Sequence, residues 1–225
     1  MYHRVDVDHP ADRVGRELTV SPAQFREQLA YLKAHGIQGI SMAEMLERLE
    51  RGQPLGHIVV LTFDDGYADQ ARYAVPLLRA FGDSATFYIV TGELGRPRHL
   101  TWPDVLSMAR EGMDIAAHGV QHDDLSEMPP ARQAYEIDDS VAALEHALRR
   151  PVESYAYPSG RFNRETLQLV MRANVPLAVT TDPVYVLPPE TRFEMTRVRV
   201  RSDWSLPNFA HALQAAVQAG RPVIR

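Results

Sequence analysis

The chain has 225 residues, a formal net charge of −5 and no cysteine. The missing cysteines exclude disulfides, thiolate ligands and cysteine nucleophiles. The mild, interspersed acidity excludes the basic stripe with which nucleic-acid binders neutralise phosphates, and no apolar run approaches the ~20 residues of a membrane span.

Residues 1–5 read as a strand carrying His3 near its end. Ser21-x-x-Gln24 then forms a capping box ahead of Phe25, Leu29 and Leu32, and Gly36 suits the helix stop. A strand at 37–40 precedes a second helix, opened by Ser41-x-x-Glu44 and closed by Gly52. The apolar strand 57–63 ends at Asp64-Asp65-Gly66, and a helix with Val75, Leu78 and Phe81 runs to Gly82. Strand 85–90 leads to a helix from Thr101-x-x-Asp104 to Gly112, and strand 113–117 leads to His118. Ile137, Val141, Leu144 and Leu148 make the apolar stripe of a longer helix. Strand 152–157 ends at Pro158-Ser159-Gly160, and Asn163 caps a helix with Leu167, Val170 and Met171. Strands at 177–181 and 195–200 follow, then a last helix opened by Ser205, with Phe209, Leu213 and Val217 on one side and Gly220 beyond.

Most of these strands are continuous apolar runs, as expected of parallel strands covered on both faces. The alternation of strand and helix without a linker predicts one α/β domain over residues 1–225. Periodicity does not separate a barrel from an open doubly wound sheet. The placement of polar residues does, because His3, Asp64-Asp65, His118 and Pro158-Ser159-Gly160 all fall at C-terminal strand ends, which converge on one mouth in a barrel. The expected architecture is a distorted (β/α) barrel of seven to eight parallel strands.

Asp64-Asp65-Gly66, taken alone, is either a solvated turn or a pair of carboxylates that needs a cation. His118-x-x-x-His122 can share a metal if the backbone turns helical there. Two imidazoles and one carboxylate make a site with positions left open for water, and the second Asp is then free to act as a base. Arg192, Arg197, Arg199 and Arg201 alternate with Val198 and Val200, which reads as a strand with a solvated face. His9, His35, His57, His99 and His146 lack partner spacing and read as surface residues, and Asp123 and Asp124 read as solvating the loop after His122. Trp102 belongs to its helix start, although both it and Trp204 can flank a sugar.

Thr62-Phe63-Asp64-Asp65-Gly66 followed about fifty residues later by His118-x-x-x-His122 resembles the first two motifs of the polysaccharide deacetylases, the fourth carbohydrate esterase family with the NodB homology domain. The resemblance extends to residues 1–5, the helix from Ser21 to Gly36, and the stretches 155–160 and 178–181; the nearest pattern is the poly-N-acetylglucosamine deacetylase branch. It implies hydrolysis of acetyl groups from N-acetylated sugars with a divalent metal, most suitably zinc. Asp64 is then the general base, and Asp65, His118 and His122 are the ligands. Residues 155–160 occupy the third motif, where Ala156 stands in place of an arginine that orients the base, and Ser159 in place of a tyrosine whose backbone N–H binds the oxyanion. No late Leu-x-x-His motif is evident, and His211 lies within the last helix. In the permuted branch the acid comes from the first strand, which makes His3 the candidate. Expected partners are an N-acetylated glycan or oligosaccharide, with no nucleic acid and no integral membrane segment. The alternatives are a metal-independent amidohydrolase on the same fold, a non-haem iron oxygenase and a non-catalytic carbohydrate-binding module. The N-terminus carries no signal-peptide core, which suggests the cytoplasm, whereas relatives in this branch are commonly exported.

Overall fold

In the computed structural model, which describes residues 1–8, 10–181 and 192–219, strands and helices alternate along the chain. They are β1 (Arg4–Val5), α1 (Arg13–Leu18), β2 (Thr19–Val20), α2 (Pro22–Ala34), β3 (Gln38–Ile40), α3 (Met42–Glu50), β4 (Ile58–Val60) and β5 (Thr62–Phe63). There follow α4 (Val75–Phe81), β6 (Thr86–Ile89), α5 (Trp102–Arg110), β7 (Asp114–Ala117), α6 (Pro130–Ala134) and α7 (Ser140–Leu148). The last elements are β8 (Ser154–Ala156), α8 (Arg164–Arg172), β9 (Leu177–Val179) and α9 (Leu206–Ala219). His9, Gly220 and the side chain of Val217, all given roles above, lie outside the described residues.

The cap signals translate into structure. Ser21 and Gln24 bond reciprocally at the start of α2, as do Thr101 and Asp104 at α5 and Asn163 and Thr166 at α8. Each box satisfies two backbone donors that the first turn cannot. Gly82 ends α4 at φ 78°, a left-handed stop that costs a glycine little. α1, capped by Asp12, and β2 were not anticipated, because both are too short to show a periodicity.

Every ladder is parallel, and the continuous sheet runs β5-β6-β7-β8-β9, flanked by the pairs β1-β2 and β3-β4. The sheet therefore has five strands rather than the seven to eight expected. Residues 1–3 and 195–200 are extended but form only single bridges, Tyr2 with Phe63 and Met195 with Val179. The Met1 amine donates to the Val198 carbonyl at 2.8 Å, and the Val200 N–H donates to the Met1 carbonyl at 2.9 Å. These bonds span the seam of a curled, distorted barrel. Apolar runs mark buried extended chain; whether it builds a ladder depends on neighbours that the run itself does not specify.

The two faces of the sheet differ in chemistry. Phe63 and Phe87 are register partners with rings stacked at 4.8 Å, and Tyr2 and Phe25 of α2 pack on Phe63 at 5.2 and 5.6 Å. Such aromatic pairs add ~0.5–1.5 kcal/mol beyond the area they bury. The alternate row, Thr62, Thr86 and Asp114, is polar: Thr86 Oγ1 donates to Asp114 at 2.8 Å, and Thr62 meets a guanidinium described below. Period-2 alternation thus puts Phe63 and Phe87 on one face of β5 and β6 and Thr62 and Thr86 on the other. Among the described residues no helix is long and apolar enough to cross a membrane.

Candidate metal centre and active site

β5 delivers Asp64 and Asp65 to the rim. Asp64 is 1% exposed, while Asp65 stands at φ 74° and Gly66 at φ 71°. Two successive left-handed residues turn the chain sharply, and the adjacent carboxylates meet different partners. For a non-glycine residue that conformation is costly, and it persists where the surroundings over-determine it.

His118 follows β7. Its Nδ1 lies 2.7 Å from the Ala156 carbonyl of β8, and a carbonyl only accepts, so Nδ1 carries a hydrogen and Nε2 is the nitrogen that offers the lone pair whenever the ring is neutral. That Nε2 lies 3.4 Å from Asp65 Oδ1, and His122 Nε2 lies 3.4 Å from the same oxygen. Two ligands held at ~2.0–2.1 Å around one tetrahedral ion sit about 3.3–3.4 Å apart, so the spacing is that of a shared cation. Among the described residues the buried Asp65 Oδ1 has no hydrogen-bond partner, which leaves it able to take a cation. The three residues therefore fit a divalent metal. The loop between the histidines is not helical, so the i,i+4 spacing of a helix is not what brings them together. Gly119 at φ 79° and His122 at φ 60° fold it into a tight turn that returns the second imidazole beside the first.

Electrostatics follow this arrangement. Burial pushes the Asp65 carboxyl up, but His118, His3 and His122 together bring it below its ordinary value. Burial also opposes charge on His118, yet Asp65 and Asp64 leave its imidazole raised, whereas burial and the neighbouring His118 lower His122.

Asp64 is held by Arg197. Its Nη1 and Nη2 donate to the two carboxylate oxygens at 2.7 Å each, Nη1 also reaches Thr62 Oγ1 at 3.2 Å, and Nε donates to the Thr180 carbonyl at 2.9 Å. Burial alone would raise the Asp64 carboxyl, but Arg197 holds it well below the usual carboxylate range. This corrects the reading of residues 192–201 as a strand with a solvated face: Arg197 is 8% exposed and forked onto a carboxylate 133 positions away. It also answers the substitution at Ala156. The arginine that grips Asp64 comes from the segment closing the barrel, not from the third motif.

His3 is buried and lies within the field of Asp64 and Asp65, which oppose the lowering of its pKa by burial. Its Nδ1 has no hydrogen-bond partner. Its carbonyl accepts from Gln70 Nε2 at 2.7 Å, and the same nitrogen reaches the Asp64 carbonyl at 2.6 Å. Gln70, fully buried, thus ties the ends of two rim strands together, a role with no motif to reveal it. Ser159 lies on the turn Pro158–Gly160 after β8, at φ 56°, with its carbonyl accepting from Thr181 Oγ1 at 3.1 Å. A Cβ at Gly160 would overlap Thr181, so this turn requires glycine. Ser159, Ser126, Arg161, Phe162 and Thr181 line an open cleft of about 520 Å³.

A family profile described as polysaccharide deacetylase matches residues 51–178, more than half of the chain. The chain belongs to the polysaccharide deacetylase family. The Bacillus subtilis protein YxkH is 29% identical over 201 residues, covering 89% of this chain and 70% of that protein. The poly-β-1,6-N-acetyl-D-glucosamine N-deacetylase of Staphylococcus aureus is 23% identical over 206 residues, covering 84% and 70%. Among solved structures, the Streptococcus pyogenes deacetylase PplD, in complex with acetate, superposes with a TM-score of 0.86 at 32% identity, covering 99% of this chain and 96% of that one. IcaB from Ammonifex degensii has the same fold, with a TM-score of 0.77 at 22% identity and coverage of 98% and 95%.

Within this deacetylase fold the remaining sequence readings sort themselves. His35, His57, His146 and His211 are exposed. His99 is not a plain surface residue, since it stacks on Tyr67, two residues from Asp65, at 5.0 Å. Trp102 and Trp204 both pack against the hydrophobic core. Asp124 does more than solvate its loop: it caps the turn Leu125–Glu127 through the Ser126 N–H and pairs with Arg161 at 3.4 Å. Asp123 pairs with Arg132 at 3.5 Å.

Proposed function

We propose that this chain is a metal-dependent carbohydrate de-N-acetylase, with Asp65, His118 and His122 as the ligands of a divalent cation and zinc as the preferred ion. The observation that carries the reading is one orphaned, buried carboxylate oxygen placed 3.4 Å from two imidazole nitrogens, beside a second carboxylate held by an arginine. When bound, the ion supplies Lewis-acid polarisation of the acetyl carbonyl and a water of lowered pKa.

The chain's own residues do the rest. Asp64, ionised and fixed in orientation by Arg197, removes the proton of the attacking water; each of its oxygens keeps a lone pair after accepting from the guanidinium. The Ser159 backbone N–H donates to the developing oxyanion. His3 gives a proton to the departing sugar amine, and the products are acetate and a free amino sugar unit. Asp65, His122 and Ser159 all hold left-handed backbones at the rim, a conformation that persists where the surroundings over-determine it.

The deciding experiment measures acetate release from N-acetylated oligosaccharides by protein purified without added metal, alongside elemental analysis. We expect close to one divalent transition ion per chain and loss of activity on exhaustive chelation, restored by zinc. Full activity in metal-free protein would sink the mechanism.

A further inference from the structure

Glu136 is fully buried, yet it lies far from the reacting groups in sequence and no motif singles it out. It sits on a widened π-helical turn, Tyr135–Asp139, between α6 and α7, the kind of helical bulge that often marks a functional position. Its Oε2 accepts two backbone hydrogen bonds, from the Val120 and Gln121 N–H groups, each at 2.8 Å. Both donors belong to the short loop between His118 and His122. Among the described residues nothing comparable holds Oε1, which has no hydrogen bond and has Arg132, one helical turn back, at 3.6 Å. The buried hydroxyl of Tyr155 adds to the packet: it too lacks a hydrogen-bond partner, and both it and Glu136 Oε2 lie within 3.5 Å of where a Cβ on Gly119 would stand.

A carboxylate taken out of water for two peptide N–H groups is an expensive way to secure an ordinary loop. This loop is not ordinary. Gly119 and His122 are both left-handed, and for a histidine that backbone is unfavourable unless neighbours enforce it. Charge-assisted bonds to consecutive N–H groups enforce it directly, since both amides must point inward together. A relaxed loop would swing His122 Nε2 away from the oxygen it shares with His118.

We propose that Glu136 is a positioning residue whose buried carboxylate clamps the His118–His122 turn so that both imidazoles face the point they share with Asp65. The proposal rests on the metal reading above. Its test uses two readouts besides activity: zinc affinity of the metal-stripped protein, by competition with a chromogenic chelator, and amide hydrogen exchange at Val120 and Gln121 without metal. Glu136→Ala should lose protection at both amides and bind zinc ~10–100-fold more weakly, the range for partners that orient ligands. Glu136→Gln keeps one acceptor oxygen and should fall between Ala and wild type, and it carries the test if the alanine variant fails to fold. Val141→Ala, a buried truncation one helical turn further on, serves as a destabilised control and should leave zinc affinity unchanged. Wild-type zinc affinity in the Glu136 variants, or a Val141→Ala loss of equal size, overturns the proposal while leaving the metal reading intact. A wild-type protein that binds no zinc overturns the metal reading, and this proposal with it.

Discussion

The rim of the barrel is built from two kinds of chain. Residues 61–67 and 118–122 bring Asp64, Asp65, His118 and His122, and each pair sits within a few positions of itself at the end of an apolar strand. The segment 192–200 brings Arg197, which sits in an alternating run with Val198, Arg199 and Val200 and has no second catalytic-type residue beside it in sequence. Both kinds of chain end on the same carboxylate. The first kind advertises its chemistry because its polar residues are neighbours in sequence, while the second hides it, because the partner of Arg197 lies 133 residues away and the alternating pattern around it is equally that of a solvated edge. A charge in an amphipathic run is therefore uninformative until its partner is known.

Separating the two carboxylates should give the largest effect on this comparison. Asp64→Asn removes the proposed base and should lower kcat by ~10²–10⁴-fold with zinc retained. Asp65→Asn should instead lose the zinc, seen by elemental analysis. The reverse pattern would mean that the two roles are exchanged.

Arg197 offers the next break. Arg197→Ala leaves a buried carboxylate without its partner, which should destabilise the fold by ~3–5 kcal/mol in denaturant titration. The sign with pH is set by Asp64. Its folded pKa is depressed, so the stability it contributes is fully present above the unfolded carboxyl value of about 4 and is lost as pH falls below it. Without Arg197, burial, the largest influence on Asp64, is opposed only by His118 and His3, so its carboxyl should rise and the acid limb of the rate profile should move to higher pH. Arg197→Lys keeps the charge but not the fork, and should recover stability more than rate. An unmoved acid limb in Arg197→Ala would show that Asp64 does not set it.

His3 tests whether the first strand joins the same chemistry. His3→Ala should lower kcat on N-acetyl sugars with zinc retained, and cost much less on an activated acetate ester, whose leaving group needs no proton. Equal losses on both substrates would make His3 structural, a part its buried, unpartnered Nδ1 does not suggest. The smallest effect is expected at Ser159. If its backbone N–H is the donor, Ser159→Gly keeps kcat near wild type and relieves the strain at φ 56°, whereas a lost oxyanion donor costs ~10²–10³-fold. A fall of that size in Ser159→Gly would assign the donor to the hydroxyl.

The sequence alone determined the parallel α/β plan, the helix starts at Ser21, Ser41, Thr101 and Asn163, and the set Asp64, Asp65, His118 and His122. All of these are set by neighbours within a turn or a strand, where hydrogen-bond reach and side-chain period act directly. Only the tertiary structure decided that the sheet keeps five strands, that Arg197 and not residue 156 orients Asp64, and that Gln70 and Glu136 hold the rim. Each of these depends on which segments outside the local strand or turn are brought together around the curve, from 15 residues away for Glu136 to 133 for Arg197. A buried charge or amide takes whatever complementary group the closing of that curve brings within 3 Å, and no local pattern encodes the meeting.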